Sequence, residues 1–349
     1  MKQDLKKYFY IGLIVLTLAV VLFVGIRSGD FPASMRAMLS IPPIYVLAGV
    51  MCTFGGILMQ ALSCRSALKK LGHTLPFKRL YAISVLGEFY SFITPGASGG
   101  QPMQVYQFHR CRTPLGDATA ALTIHFHCFQ LTLLIADVAL YAIHRDFIQA
   151  QIGANLPFLI IGFVINGVIV SLSLMIAFYQ RPIRFLLTKV SPIMRRFKLG
   201  DPDKLQAQLS GVADGFYGGM RTLASDGSEI FRQFCFAAVR LVLLMSVMYF
   251  IYRGLGQSAV GYDKIVTMGC MQYTSAAYTP LPGASGAQEG VFSLYFQSLL
   301  PGKLLLSGLL AWRFITYYLV LIVGSFVTTA LGMRNKSVDE VTRELEKEM

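Results

Sequence analysis

Charged side chains are scarce in this sequence: Asp, Glu, Lys and Arg together make up 14% of its 349 residues. A soluble domain ordinarily carries about 25% charged residues. Hydrophobic residues make up 54% of the chain, and many form uninterrupted runs that can cross about 30 Å of hydrocarbon as a helix. The scarcity of charge excludes a soluble enzyme. The solid runs exclude an outer-membrane barrel, whose strands alternate polar and apolar residues over segments of about ten residues.

Cysteine is also infrequent, and its six copies are scattered without a C-x-x-C pair or a histidine at metal-ligand spacing. We interpret the cysteines as packing residues and expect no metal ion, no cofactor and no catalytic residue. Acidic residues number 18 against 31 basic ones, which gives a net charge of +13. Such an excess in a soluble chain would indicate nucleic acid. Here its placement relative to the apolar runs fits membrane topology instead, so no nucleic-acid partner is expected.

Six apolar runs have the length of a membrane span, and the first of them follows three lysines and lacks a cleavage site. The runs are 9–26, 44–62, 118–143, 156–178, 234–252 and 304–331. Two further stretches, 80–108 and 265–300, are interrupted by Gly, Pro and Ser, so a continuous helix cannot run through them. Non-helical backbone at membrane depth is tolerated where it lines a watery cavity. The sequence predicts an all-α polytopic membrane protein with about six full spans and two broken or re-entrant helical elements.

Basic residues sort strongly to one side of this layout. With a cytoplasmic N-terminus, 23 of the 31 lie inside and six outside, while Arg240 and Arg313 fall within spans. Cytoplasmic loops are enriched in Lys and Arg, so both termini are expected in the cytoplasm of a bacterial inner membrane. The first broken element then opens from the cytoplasm and the second from outside, as in an inverted repeat.

The chain divides into two membrane halves joined by a polar connector. We expect the first membrane half at 1–180, with its broken element near 94–102, and the second at 230–332, with its broken element near 280–290. The connector between them is 181–229, and 333–349 follows the second half. The connector begins with apolar residues set among basic ones over 182–198, a pattern that fits an interfacial helix on anionic lipid or an ordinary basic linker. The last part is a polar cytoplasmic tail.

The two interruptions are near copies, 187 residues apart and identical at six of seven positions. They read Pro95-Gly96-Ala97-Ser98-Gly99-Gly100-Gln101 and Pro282-Gly283-Ala284-Ser285-Gly286-Ala287-Gln288. Proline stops the incoming helix, and glycine permits left-handed backbone that leaves amides pointing into a cavity. Free amides at a helix N-terminus bind phosphate well. The sequence therefore predicts two sites that gate or bind an anionic head group, with tightly packed turns as the alternative.

Ionisable side chains inside the apolar runs are a second indication, because a charge at mid-bilayer is costly unless paired or hydrated. Glu88 precedes the first motif and Glu289 follows the second, while Arg240 and Arg313 could bind phosphate. Either glutamate could instead carry a coupling proton, or the charges could form structural ion pairs. Asp137 is a weaker candidate, and His125 and His127 are more typical of polar contacts within a helical bundle.

At these residues the chain resembles the flippase-like family typified by the transmembrane region of bacterial lysylphosphatidylglycerol synthases. The resemblance rests on the first motif from Pro95 toward Tyr106, the second from Pro280 through Glu289, and the segment Arg313-Phe314-Ile315-Thr316-Tyr317-Tyr318. It covers about residues 9–331 and adds Tyr317 to the candidate site. In this sequence Gln101-Pro102-Met103-Gln104 stands where an acidic residue and an arginine are common in the family.

The resemblance implies a lipid flippase that moves an anionic or aminoacylated phospholipid, or a polyprenyl-phosphate-linked lipid, between leaflets. In full-length members a separate soluble domain makes the lipid from lysyl-tRNA, and no cytoplasmic segment here approaches its size. Expected partners are a membrane phospholipid, an anionic lipid surface, and either a second copy of the chain or a separate lipid-modifying enzyme.

Three other functions stay open. They are phosphatidylglycerol lysyltransfer, an accessory role beside a lipid-modifying enzyme, and intramembrane serine proteolysis. The last is raised by the G-x-S-G pattern around Ser98 and Ser285, although no histidine follows His144 to serve Ser285.

Overall fold

The computed structural model describes residues 31–181, 202–276, 279 and 281–332. The predictions for the first run (9–26), the interfacial segment (182–198) and the tail (333–349) lie outside these residues, as does Pro280 of the second motif segment. The helices are α1 (Phe31–Leu39), α2 (Pro43–Lys70), α3 (Phe77–Ile93), α4 (Gly100–Arg110), α5 (Leu115–Ile143), α6 (Arg145–Ile152), α7 (Leu156–Phe178), α8 (Pro202–Ser225), α9 (Gly227–Gly254), α10 (Tyr262–Ala276), α11 (Ala287–Phe296), α12 (Lys303–Arg313) and α13 (Leu319–Ala330).

Five helical segments of the described chain are long and apolar enough to cross a membrane. They are Pro43–Lys70, Leu115–Ile143, Arg145–Phe178, Gly227–Gly254 and Lys303–Ala330. These segments match five of the six runs that the sequence predicts as spans. The prediction of an all-helical, multi-pass membrane protein is confirmed to this extent.

Helix α7 shows how the bundle faces lipid. Its exposed side chains, among them Phe158, Ile161 and Val164, are large and apolar. Its polar residue Asn166 is fully buried and accepts a hydrogen bond at 3.1 Å from the Gln130 amide on α5. Polar groups that point inward and apolar groups that point outward are the arrangement that a hydrocarbon solvent favours.

Both predicted interruptions are present as short 3₁₀ turns between helices. Pro95–Ala97 separates α3 from α4, and Pro282–Ala284 separates α10 from α11. Proline begins each turn, where its missing N–H and fixed φ suit the start of a new helical segment.

The first broken element is an antiparallel helical hairpin. Near the start of α3, Arg79 Nη2 donates to Gln107 Oε1 near the end of α4, at 3.2 Å. One turn further along α3, Gln104 Nε2 donates to the Ile83 carbonyl at 3.3 Å. At the turn end, Gly100 lies so close to α3 that an added Cβ would be 2.6 Å from the Gly87 carbonyl oxygen. The two outer ends of this element therefore lie on the same side of the bundle.

The two membrane halves are joined mainly by α2 and α9, which pack along most of their length. Glycines on α2 let the helices approach closely, as small residues do in membrane bundles. The facing pairs are Gly49 with Val247, Gly55 with Leu243, and Gly56 with Leu244.

The start of α9 is fixed by Asp226. Its carboxylate accepts hydrogen bonds from the amides of Ser228 and Glu229 at 2.9 and 3.2 Å and lies 2.5 Å from Lys70 Nζ at the end of α2. The bond to Lys70, together with the capping bonds, holds the pKa of this carboxyl well below its usual range. Because the folded-state pKa is lowered, this stabilisation is present at neutral pH and is lost as the pH falls through the acid range.

Candidate functional site

The two repeated motifs form the same turn. Gly96 and Ala97 have φ values of 58° and 56°, and Gly283 and Ala284 have φ values of 60° and 49°. A left-handed pair of this kind is unusual when its second residue is alanine. The same two backbone hydrogen bonds close both turns: Ala97 N to Thr94 O (3.2 Å), Ser98 N to Pro95 O (3.2 Å), Ala284 N to Leu281 O (2.9 Å) and Ser285 N to Pro282 O (3.2 Å). The matching geometry supports an internal repeat.

After the turn, the copies satisfy the same amide in different ways. The Gly99 amide donates to Thr94 Oγ1, which precedes the turn, at 2.8 Å. The equivalent Gly286 amide donates to Glu289 Oε2, which follows the turn, at 2.6 Å. The second copy thus places a carboxylate at its helix N-terminus, where it caps the backbone and interacts favourably with the helix dipole.

The two turns pack against each other beside a central cavity of about 810 Å³. Gly96, Ser98 and Gln101 from the first motif line this cavity, together with Gly283 and Gln288 from the second. Its wall mixes apolar surface with polar side chains contributed by both halves of the chain. A chamber of this size and composition can hold a ligand of drug or head-group size.

One arginine–carboxylate pair on the cavity wall joins the two halves. Arg240 Nη2 lies 2.5 Å from Glu88 Oε1, and both side chains are less than one-fifth exposed. The guanidinium also lies 5.1 Å from the centre of the Phe129 ring, a cation–π contact. The two charges of the pair cancel, which lowers the free-energy cost of burying them inside the bundle.

A series of hydrogen-bonded side chains fixes the position of Arg240. It runs from Arg240 Nη1 to His125 Nε2 (2.9 Å), from His125 Nδ1 to Ser63 Oγ (2.9 Å), from Ser63 Oγ to Gln233 Oε1, and from Gln233 Nε2 to Glu229 Oε1 (2.7 Å). Because arginine only donates, His125 must accept at Nε2 and donate from Nδ1. Through its bond to Nη1, His125 orients Arg240, a role that the sequence did not indicate. His125 also lines the cavity.

A second pair lies at the other motif. Arg313 Nε is 2.7 Å from Glu289 Oε1, and both Nη atoms donate to the Gly283 carbonyl at 3.4 Å. Immediately after Arg313 the helix widens into a π-helical segment, Phe314–Tyr318, a feature frequent at functional sites. Within it Tyr317 places its ring 5.3 Å from the guanidinium. The second turn is thus tied to the last span through an ion pair, a carbonyl and an aromatic ring.

The predicted site residues divide into those on the cavity wall and those that shape the turns. On the wall are Glu88, Gly96, Ser98, Gln101, Arg240, Gly283, Gln288, Arg313 and Tyr317. Outside the wall are Pro95, Gly99, Gly100, Pro282, Ser285, Gly286 and Glu289, which begin, close or cap the turns.

Several uncharged polar residues of the wall were not assigned to the site from the sequence, which indicated His125 and His127 only as polar contacts within the bundle. They include Gln60, Gln104, His125, His127, Gln130 and Gln272. Each stands inside an apolar stretch, where an amide or imidazole is costly unless it is hydrogen bonded or faces a polar cavity. An amide or imidazole inside an apolar stretch was therefore the sequence feature that could have identified these wall residues.

The geometry does not assemble a serine–histidine dyad. All five histidines belong to the part of the chain that the structure describes, and none is hydrogen bonded to Ser98 or Ser285. His127 is held by the Thr123 carbonyl and Ser173 Oγ instead. In the part of the chain that the structure describes, no three His, Cys, Asp or Glu side chains cluster closely enough to hold a metal ion.

Together these features define a multi-pass helical membrane protein with two matching helix-breaking turns beside a chamber of mixed polar and apolar lining. The chain belongs to the family described as lysylphosphatidylglycerol synthase TM region, whose sequence model matches residues 9–324. The family resemblance that the motifs indicated is confirmed, and with it a membrane role related to lipid. Comparison with curated proteins gave no match.

Glu289 has two functions in this geometry, and two substitutions separate them. Glu289→Gln keeps an oxygen for the Gly286 amide but removes the charge that faces Arg313, whereas Glu289→Ala removes both. We expect both variants to be less stable, by about 3–5 kcal/mol for a buried arginine left unpaired. The alanine variant should lose about 1 kcal/mol more with the cap.

Thermal melting of the purified protein in detergent measures this difference. Asp146→Asn, at an exposed carboxyl on α6, is the matched control and should melt like the wild type. Equal melting of the glutamine and alanine variants would show that the cap contributes nothing.

Proposed function

We propose that this protein moves an anionic or aminoacylated phospholipid between the two leaflets of a membrane. The observation that carries the proposal is that two arginine–carboxylate pairs reach one chamber: three of their four side chains line its wall, and the fourth, Glu289, caps the second turn. Arg240 with Glu88 supplies the first pair, and Arg313 with Glu289 the second. The family's description, which names lysylphosphatidylglycerol, supports a lipid of this class.

The two pairs suit a head group that carries both signs of charge. A guanidinium binds phosphate through two parallel hydrogen bonds, and a carboxylate binds an amine. A head group with a phosphate and an amine, as in lysylphosphatidylglycerol, can take the place of both partners of a pair. The phosphate then replaces Glu88 on Arg240, while the amine occupies the released carboxylate. No buried charge is left unpaired during this exchange, which keeps its cost low.

The size of the chamber fits a head group rather than a whole lipid. Its volume of about 810 Å³ lies within the range of about 300–1,000 Å³ of small-molecule sites. The acyl chains would stay in the bilayer beside the bundle while the head group crosses between the broken elements. In this mechanism the two turns are opposed gates, and movement of one turn against the other exposes the chamber to each side alternately.

The cellular setting follows from the same proposal. We place the chain in a bacterial inner membrane with both termini in the cytoplasm, on the strength of the 23 basic residues assigned to that side. A separate enzyme that adds an amino acid to phosphatidylglycerol would then supply the aminoacylated substrate. The basic connector between the halves would rest on anionic lipid.

Lipid selectivity in proteoliposomes tests the proposal. Fluorescent lipids labelled on an acyl chain keep their natural head groups, and an impermeant reductant reports the fraction in the outer leaflet. We expect lysylphosphatidylglycerol, which supplies both a phosphate and a donating amine, to exchange about 10-fold faster than phosphatidylcholine, whose quaternary amine cannot donate to a carboxylate. A polyprenyl-phosphate probe is run in parallel. Equal rates for all lipids would contradict recognition by the two pairs.

A further inference from the structure

Asp137 is a buried carboxyl that the proposed lipid site does not use. It lies on α5 seven residues beyond Gln130 of the cavity wall, which is about two helical turns along the same face. Its side chain is 2% exposed. Thr274 Oγ1 on α10 donates to Asp137 Oδ2 at 2.5 Å, whereas Asp137 Oδ1 has no hydrogen-bond partner among the described residues.

The charged groups on neighbouring elements are engaged elsewhere. On α10, Asp263 lies 3.4 Å from His144, and Lys264 Nζ is 5.2 Å from the centre of the Phe147 ring. On α9, Arg240 is bound to Glu88 and His125.

The remaining neighbours of this part of α5 supply no counter-charge either. Arg145 and Asp146 on α6 are exposed. Helix α7 contains no titratable residue between Leu156 and Phe178. The titratable side chain within electrostatic reach of Asp137 is the buried thiol of Cys270 on α10, which brings no positive charge. Asp137 is therefore a carboxyl without a neutralising cation in the described structure.

Burial of an ionised carboxylate without a cation is unfavourable, and a neutral carboxylic acid avoids that cost. Glu88 and Glu289 each face an arginine, at 2.5 and 2.7 Å. Asp137 therefore differs from Glu88 and Glu289 in having surroundings that favour the neutral acid.

The position of Asp137 also connects it to the second turn. Its partner Thr274 lies two residues after Gln272, whose amide donates to Gln288 Oε1 of the second motif at 2.9 Å. Helix α10 ends at Ala276, just before that motif. A change of charge at Asp137 acts on the α5–α10 contact, and through α10 it acts on the turn.

We propose that Asp137 is a proton-binding site whose protonation drives lipid movement. The coupling to lipid movement rests on the proposed function. Asp137 Oδ1 takes up a proton from the aqueous phase at the end of α5 where α6 begins. The neutral acid permits one arrangement of α10. Loss of the same proton toward the central chamber restores the carboxylate and favours the other arrangement.

Infrared spectroscopy of the reconstituted full chain tests the proton site without any transport measurement. We expect a carbonyl band of a protonated carboxylic acid at neutral pH in the wild type and in Asp146→Asn, the exposed control, and its loss in Asp137→Asn. Asp137→Asn should also melt no lower than the wild type, since it removes a buried ionisable group. A band that survives in Asp137→Asn, or melting well below the wild type, would overturn the proposal.

A pH gradient across proteoliposomes tests the coupling. One proton per lipid gives up to about 10-fold asymmetry between leaflets for a gradient of one pH unit. We expect this response in the wild type, its loss in Asp137→Asn, and its partial return in Asp137→Glu. An unchanged response in Asp137→Asn would overturn the coupling. A wild type that moves no lipid but shows the Asp137-dependent band would overturn the proposed function and leave the proton site standing.

Discussion

Replacing Arg240 with glutamine is expected to slow the leaflet exchange of an anionic phospholipid by about 10- to 100-fold, the loss of one or two charged hydrogen bonds. Arg240 faces the chamber and is held there by Glu88 at 2.5 Å and His125 at 2.9 Å. Glutamine keeps polarity at this position but cannot neutralise a phosphate. The exchange rate is measured in proteoliposomes with acyl-labelled phosphatidylglycerol.

A second variant separates binding from folding. Arg240→Gln alone leaves Glu88 buried without its cation, so its melting temperature should fall as well. The double variant Glu88→Gln/Arg240→Gln removes both charges, and we expect it to regain stability without regaining lipid exchange. Arg253→Gln, at the far end of the same helix and outside the chamber, is the control and should exchange lipid like the wild type. Exchange restored in the double variant would mean that the pair is purely structural.

Gly283→Ala is expected to be more damaging than the equivalent substitution in the first motif, Gly96→Ala. Gly283 has a φ of 60°, which costs an alanine about 1–2 kcal/mol. An added Cβ would also overlap the Tyr317 ring, with its Cζ 2.9 Å away, and such overpacking costs about 1–3 kcal/mol. The equivalent Gly96 has a φ of 58° but no atom within 4 Å of an added Cβ. Gly96→Ala should therefore lose only the first of these two contributions.

Thermal melting and lipid exchange of the two variants measure this asymmetry. Gly283→Ala should lower the melting temperature less in a Tyr317→Ala background than in the wild type, because the overlap is then absent. Gly290→Ala, a helical position with open space around it, is the control for a neutral substitution. If Gly96→Ala and Gly283→Ala are equally destabilised, the close contact between the second turn and Tyr317 does not form.

The architecture could be predicted largely from two kinds of pattern. Apolar runs identified five spans in the described residues, since length and hydrophobicity decide membrane crossing almost by themselves. The repeated Pro-Gly-Ala-Ser-Gly segment identified both helix breaks, because proline and left-handed glycine act on the local backbone. These inferences need no knowledge of which helices touch.

The pairing of charges could not be predicted, because it depends on packing between distant segments. Glu88 and Arg240 are 152 residues apart, and either could have faced another ion or water. The same holds for His125, which looked like an ordinary polar contact until α5 placed it between Ser63 and Arg240. Asp137 was a weak candidate in the sequence and became informative because α10 buries it beside Thr274 without a cation.

The central claim is that the chamber between the two turns carries a phospholipid head group across the membrane. Its most direct test is the initial rate at which acyl-labelled phosphatidylglycerol exchanges leaflets in proteoliposomes that contain the wild-type protein, compared with protein-free vesicles of the same lipid composition. The account predicts a rate that rises in proportion to the number of protein copies per vesicle. A rate equal to that of the protein-free vesicles, for phosphatidylglycerol and its lysylated form alike, would contradict it.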